Sequence, residues 1–260
     1  MNKPDDLRRA IAFLRDVDSR ASERIEELQY GRAYLHSKLP YVYDRNFVAI
    51  ADGPSSNELP AILGEIERVL GAARLQHRKI VFDEPDTGEP LASLLAAMTW
   101  AIRRLDVMVF RADRPPPISG EAREVEHEEL VSARLESLRG EPWVTSGDIA
   151  DQMVENSRVI SRSVPERCFA SFERGKVASW CRMFTDGRTA QIEDVSTVER
   201  FQGRGHSRAA VTLALSEAVQ SHDFVFLTAD DEDWPKAWYE RLGFEVEGVQ
   251  WEALRGPSWG

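Results

Sequence analysis

The sequence predicts an α/β (α+β) protein in which mixed central sheets are flanked by helices. Three observations lead there. Strand-like and helix-like segments alternate as strand, helix, strand, helix, strand over 46–110, and the same order returns over 189–249. Corresponding starts lie about 140–145 residues apart, which reads as a diverged internal repeat. Between the halves, Arg114-Pro115-Pro116-Pro117 and Ser119-Gly120 can continue neither a helix nor a central strand. The expected division is therefore 1–114 and 119–260.

Each element follows from its pattern. Leu7, Ile11, Leu14, Val17, Ala21, Ile25 and Leu28 recur at helical spacing, so 5–29 is expected to be helical. Asn46–Ala51 reads as a short strand. Ile62, Leu63, Ile66, Val69 and Leu70 share one face of a helix over Leu59–Leu70. Lys79–Phe82 is a strand, Leu91–Arg103 an apolar helix opened by Pro90, and Asp106–Phe110 a strand. Glu128–Leu138 and Ser146–Ile160 are expected as helices. Two strands then flank a turn at Arg174-Gly175, and Thr189–Thr197 forms a third. A helix over 206–220, a strand at Phe224–Leu227 and a helix over Trp234–Leu242 follow. In that last helix Asp233 is the expected N-cap and Gly243 the residue past its end. Phe244–Val249 closes the series.

Charge and composition exclude several functions. The 260 residues carry a formal net charge of −11, a field that repels a phosphate backbone, so nucleic acid is not an expected partner. The balance leans toward cationic small molecules. No apolar run approaches the ~20 residues needed to span a bilayer, and Asp5 to Arg9 open the chain with charge. A membrane is therefore not expected and a cytoplasmic location is. Cys168 and Cys181 are placed opposite each other by a tight hairpin at Arg174-Gly175, so a disulfide is conceivable, with reduced thiols the better expectation. The five His residues show no ligand spacing with Cys or acids, and no metal is expected. Trp234, Trp238 and Trp251 either line an acceptor pocket or pack as core.

The chemistry concentrates in one segment. Ile192-Glu193-Asp194-Val195-Ser196-Thr197 ends a strand, Gln202-Gly203-Arg204-Gly205 forms a loop, and His206-Ser207 opens a helix. Glycines let backbone approach a ligand, and the helix start offers N–H groups and the positive dipole end to a pyrophosphate. A dinucleotide fingerprint fails because Arg208 stands at the third glycine position. A nucleophile elbow at Gly205-His206-Ser207-Arg208-Ala209 lacks the acid and then histidine it needs downstream.

Gln202-Gly203-Arg204-Gly205-His206-Ser207 resembles the pyrophosphate loop of the GNAT superfamily of acyl-CoA-dependent N-acyltransferases. Ala237-Trp238-Tyr239-Glu240-Arg241-Leu242-Gly243-Phe244 is similar to that family's closing segment, and the resemblance covers roughly 121–256. It implies two tandem GNAT-like domains. The first is degenerate, because Asp52-Gly53-Pro54-Ser55-Ser56-Asn57 stands where its loop would fall. It implies acetyl-CoA as co-substrate and a primary amine, most simply a small molecule, as acceptor. Monomer and homodimer both remain open. The implied cofactor-binding residues are Val195, Ser196, Thr197, Gln202, Gly203, Arg204, Gly205, His206 and Ser207.

Direct attack by a free amine needs a base. Glu193 and Asp194 are the candidates, and regular alternation puts only one of them on the acceptor face. Ile192-Glu193-Asp194-Val195 is also similar to the same strand of glucosamine-6-phosphate N-acetyltransferases, where paired acids lie at the acceptor site. By the same family resemblance, Tyr239 is the general acid for the departing thiolate. The alternative is an acyl-CoA-binding regulatory module without turnover.

Overall fold

A computed structural model describes residues 3–51, 53–231 and 235–256. Asp52, Asp233 and Trp234, and with them the expected N-cap and one of the three tryptophans, lie outside the described residues. The chain forms two compact units that are not contiguous in sequence. Among described residues, one holds 3–107, 229–231 and 247–256, and the other 108–228 and 235–246. The sequence division at 114/119 is one of chain order. In space, residues 247–256 pack with the first unit.

The first unit opens with α1 (Lys3–Ala21), then β1 (Arg24–Glu27) and β2 (Gly31–Leu35). The helix expected over 5–29 thus stops at Ala21. Ser22 Oγ donates to the Asp18 carbonyl, and the Glu23 N–H is taken by the Leu35 carbonyl at 3.0 Å. From there the backbone pairs as a hairpin, Ile25 opposite Tyr34. Ile25 and Leu28 fit helical spacing without being helical, because periodicity cannot see a partner strand. β3 (Phe47–Ile50), α2 (Leu59–Ala72) and β4 (Arg78–Phe82) stand where expected. α3 runs Pro85–Ala97 rather than 91–103. Pro85 starts it, as proline does in a first turn, and Thr99 at φ 65° ends it, so Ala101 already belongs to β5 (Ala101–Phe110). β11 (Phe244–Arg255) pairs antiparallel with β4, Trp251 opposite Phe82. The strand order is β1-β2-β3-β4-β11, with only β3–β4 parallel. Ile62, Ile66, Leu70, Ile80, Phe82 and Leu95 lie in its core, against which Trp251 packs.

The second unit holds β6 (Ala122–Val125), α4 (His127–Gly140), α5 (Gly147–Ser163), β7 (Glu166–Glu173), β8 (Lys176–Thr185) and β9 (Thr189–Thr197). α6 (His206–Ser221), β10 (Phe224–Asp230) and α7 (Pro235–Leu242) follow. The order β10-β9-β8-β7-β6 has only β9–β10 parallel. α4 packs on β7 and β8, whereas α6 packs on β7, β8 and β9. α6 buries Ala209, Ala210, Ala214 and Ala218, small side chains that allow close approach to the strands. Trp180 is buried on β8 among Leu130, Cys168 and Phe201. A ring of that size removes about 150–250 Å² from water, a contribution of about 4–6 kcal/mol at about 25 cal/mol/Å².

Two register breaks shape this sheet. Arg174 (φ 50°) and Gly175 (φ 76°) make the expected tight turn. The pairing then slips at Ala178, so that Cys168 faces Arg182 and Phe169 faces Cys181. The cysteines are therefore not opposite each other. A one-residue slip turns them to opposite faces, and both are free and buried. The second break lies in β9.

Candidate active site

β9 departs from regularity where the chemistry was expected. Trp180 pairs with Ser196 and Arg182 with Glu193, so two steps along β8 span three along β9. Asp194 absorbs the extra residue with φ 55°. This β-bulge removes the strict alternation expected for Glu193, Asp194 and Val195. Residues directly paired across antiparallel strands share a face, so Glu193 lies on the Arg182 face, the one α4 covers. The Glu193 carboxylate accepts a hydrogen bond from Gln191 Nε2 at 2.9 Å.

The other edge of β9 opens. Its parallel pairing with β10 covers Thr189–Gln191 against Phe224–Phe226. Beyond that point, among the described residues, Ser196 and Thr197 pair with β8 alone, where the Ser179 hydroxyl donates to the Ser196 carbonyl at 2.6 Å, and Val195 pairs with neither strand. The edge toward β10 is a strip of backbone donors and acceptors suited to an extended amide chain.

The strand leads through a short 3-10 turn at Glu199–Phe201 into Gln202–Ser207. Gly203 (φ 73°) and Gly205 (φ 82°) are left-handed, and a Cβ at either would meet open space. Glycine is needed there for conformation, and it leaves the loop uncluttered. Gly205 is the N-cap of α6 and, having no side chain, supplies no capping oxygen to the first N–H groups of that helix. Arg204 Nη1 donates to both Glu173 oxygens at 2.7 and 2.9 Å, and His206 Nε2 lies 3.1 Å from the same carboxylate. Those hydrogen bonds, from His206 and then Arg204, hold the Glu173 carboxyl below its usual range. Glu173 sits at the end of β7, and nothing in its local sequence marks it.

Tyr239 is buried on α7, edge-to-face with Phe244 and beside Trp238. Trp238 lies against Tyr239 in the second unit, and Trp251 packs on the core of the first.

Behind the bulge lies a charge network that sequence reasoning missed. Arg134 of α4 grips Asp194, Nη1 reaching Oδ1 at 3.1 Å and Nη2 reaching Oδ2, with its guanidinium 5.6 Å from the Trp180 ring centroid. Burial works against the Arg134 charge, and Asp194 more than offsets it, raising its pKa. Arg182 lies 4.0 Å from Asp194 and donates to Glu166. Burial alone would raise the Glu166 carboxyl, but the His127 hydrogen bond and Arg182 hold it at about 2. The available signal was Arg182 itself, a charge inside an otherwise apolar strand, which demands a buried partner.

His127, Glu166 and Cys168 also bring one donor atom each within 4.8 Å, beside a cavity of about 500 Å³. Spacing along the chain gave no hint of this cluster. Burial, with Glu166 beside it, pushes the Cys168 thiol up to about 12, and Arg182 already balances Glu166. Burial likewise raises Cys181 well above its ordinary value. Neither thiol is a nucleophile near neutral pH.

Residues 130–244 match the Acetyltransferase (GNAT) family. The chain thus carries a GNAT-family acetyltransferase domain. Among solved structures it is similar in fold to a functionally unknown conserved protein from Staphylococcus epidermidis. That match has a TM-score of 0.74 and 16% identity, covering 91% of this chain and 95% of that one. A GCN5-related N-acetyltransferase from Kribbella flavida gives a TM-score of 0.66 at 17% identity, covering 98% and 96%. A tandem GNAT protein from the clavulanic acid biosynthesis pathway gives 0.54 at 11%, covering 82% and 74%. No curated protein matches in sequence. No helix among the described residues is long and apolar enough to cross a membrane.

Proposed function

We propose that the protein transfers acetyl from acetyl-CoA to a primary amine of a small molecule by direct attack in a ternary complex. The observation that carries this reading is the uncapped N-terminus of α6 behind two left-handed glycines, reached from a strand whose edge is open. A pyrophosphate there meets several N–H groups, each charge-assisted bond contributing about 1.5–3 kcal/mol. Val195, Ser196 and Thr197 offer the β9 edge to the amide arm, and Gln202, Arg204, His206 and Ser207 frame the loop. Acetyl-CoA supplies an activated acetyl group as a thioester.

No enzyme nucleophile enters this reading, in keeping with two thiols held protonated. Glu193 takes the proton from the incoming ammonium. For an amine of pKa about 10.4, neutralisation at pH 7 costs about 4.6 kcal/mol, which a positioned base or water chain relieves. Asp194 is the weaker candidate, because Arg134 occupies its carboxylate. Tyr239 donates a proton toward the departing sulfur.

The test is calorimetric titration with acetyl-CoA, then thiol release across a panel of amino acids, polyamines, aminoglycosides and amino sugars, for wild type, Glu193→Gln and Tyr239→Phe. Amine-dependent release that falls about 10²-fold or more in the variants is expected. Binding without release from any amine favours an acyl-CoA-binding module. No binding sinks the reading of the loop.

A further inference from the structure

The bulge in β9 needs an explanation that its own residues do not provide. A non-glycine residue in the left-handed region costs about 1–2 kcal/mol, less for aspartate, and persists only where its surroundings hold it. Asp194 is so held at φ 55°. Its carboxylate takes both terminal nitrogens of Arg134, a residue sixty positions earlier in the chain. Arg134 is itself fixed, its guanidinium 5.6 Å from the ring centroid of the buried Trp180. Without the extra residue, the pairing from Ser179–Thr197 would continue as Trp180–Ser196, Cys181–Val195, Arg182–Asp194 and Met183–Glu193. Glu193 would then face the opposite side. In the structure Met183 pairs with Ile192 and Arg182 with Glu193.

We propose that Arg134 is a positioning residue: its grip on Asp194 locks the β9 bulge, and the bulge in turn holds Glu193 on the α4 face of the sheet. The inference rests on the reading of Glu193 as the base, and it assigns Asp194 a conformational task. Arg182, 4.0 Å from the same carboxylate and committed to Glu166, braces the pair from β8.

Glycine takes a φ near +55° without help, and alanine does not, which gives a test specific to this role. Arg134→Met is measured alone and combined with Asp194→Gly or with Asp194→Ala. The readouts are melting temperature, the acetyl-CoA dissociation constant, and kcat and KM with the best amine of the panel above. Arg134→Met is expected to lower kcat about tenfold or more while leaving acetyl-CoA affinity within about twofold, as loss of geometry at the reacting centre does. Adding Asp194→Gly is expected to restore kcat at least about fivefold and raise the melting temperature, and adding Asp194→Ala to do neither. Should Arg134→Met not fold, Arg134→Lys carries the same comparison. If the glycine and alanine doubles behave alike, or if Arg134→Met turns over like wild type, the proposal is overturned. If no amine is turned over, the functional reading fails separately, and the melting order of the two doubles still decides whether Arg134 holds the bulge.

Discussion

Two helix starts in this molecule follow a strand in the same position of a repeated order, and they end differently. In the first unit β3 leads to a 3-10 turn at Ser56–Glu58 and then α2. There the Glu58 carboxylate accepts from Ser55 N at 2.8 Å and Ser55 Oγ at 3.1 Å, and Pro60 fills the first turn of α2. That start carries its own anion. In the second unit β9 leads to Gly203 and Gly205, and α6 begins with no side-chain cap. Neither helix has a side-chain cap of its own, and the difference lies in what precedes it: a capping box, an acid at the N-cap and a proline at the start of α2, against two left-handed glycines at the start of α6. The repeat thus fills this position with an acid in one unit and leaves it bare in the other.

The sharpest way to break this comparison is to give α6 the anion α2 already has. Gly205→Asp places a carboxylate at the N-cap, and aspartate tolerates a left-handed φ. Acetyl-CoA affinity is expected to fall by about two to three orders of magnitude, since several charge-assisted hydrogen bonds are lost, with little change in melting temperature. Calorimetry on the folded variant checks this, and unchanged affinity would remove α6 as the pyrophosphate site.

Acid separates the units next. His77 lies fully buried in the first unit, its Nε2 2.8 Å from the Asn46 carbonyl, and desolvation lowers its pKa from 6.5 to about 4. The unfolded chain therefore binds the proton more readily than the folded one between those values. Stability from this group is intact above pH 6.5 and is lost as pH falls toward 4, by up to about 3 kcal/mol. Glu166 in the second unit falls from 4.5 to about 2, so its contribution is intact above pH 4.5 and is lost below it. Hydrogen exchange across pH 7 to 3 is expected to loosen the His77 region before the Glu166 region. His77→Gln should flatten the melting temperature between pH 6.5 and 4, and a slope that survives the change refutes the assignment.

Ser55→Ala tests the first unit alone. It is expected to cost about 1 kcal/mol of stability without touching acetyl-CoA affinity. The smallest effect concerns Glu173, which holds Arg204 and His206. Glu173→Gln frees both for a phosphate, and a tightening of acetyl-CoA by about threefold is expected. Weaker binding would mean that Glu173 orients the loop instead.

Much of this was legible in the sequence where the signal is local. Thr189–Thr197, the two glycines, the start of α6 and the Arg174-Gly175 turn depend on neighbours in the chain, and they stand as expected. What failed depended on partners far away. Ile25 and Leu28 kept a helical rhythm while β2 took their backbone into a hairpin. Thr99 ended α3 early by a backbone conformation its side chain does not announce. Cys168 and Cys181 lost their expected pairing to one extra residue at Ala178, and Glu193 and Asp194 lost their alternation to another at Asp194.

The sequence by itself determined that a two-glycine loop joins a strand to a helix in the second half and not in the first, because glycine, proline and capping residues act within a few positions. Only the tertiary structure decided which carboxylate is engaged, which face each acid takes, and that β11 completes the first unit beside β4. Strand register and buried ion pairs are settled by groups that meet only after folding. Arg134 and Asp194, sixty residues apart in the chain and joined in space, show why no pattern along the sequence reports them.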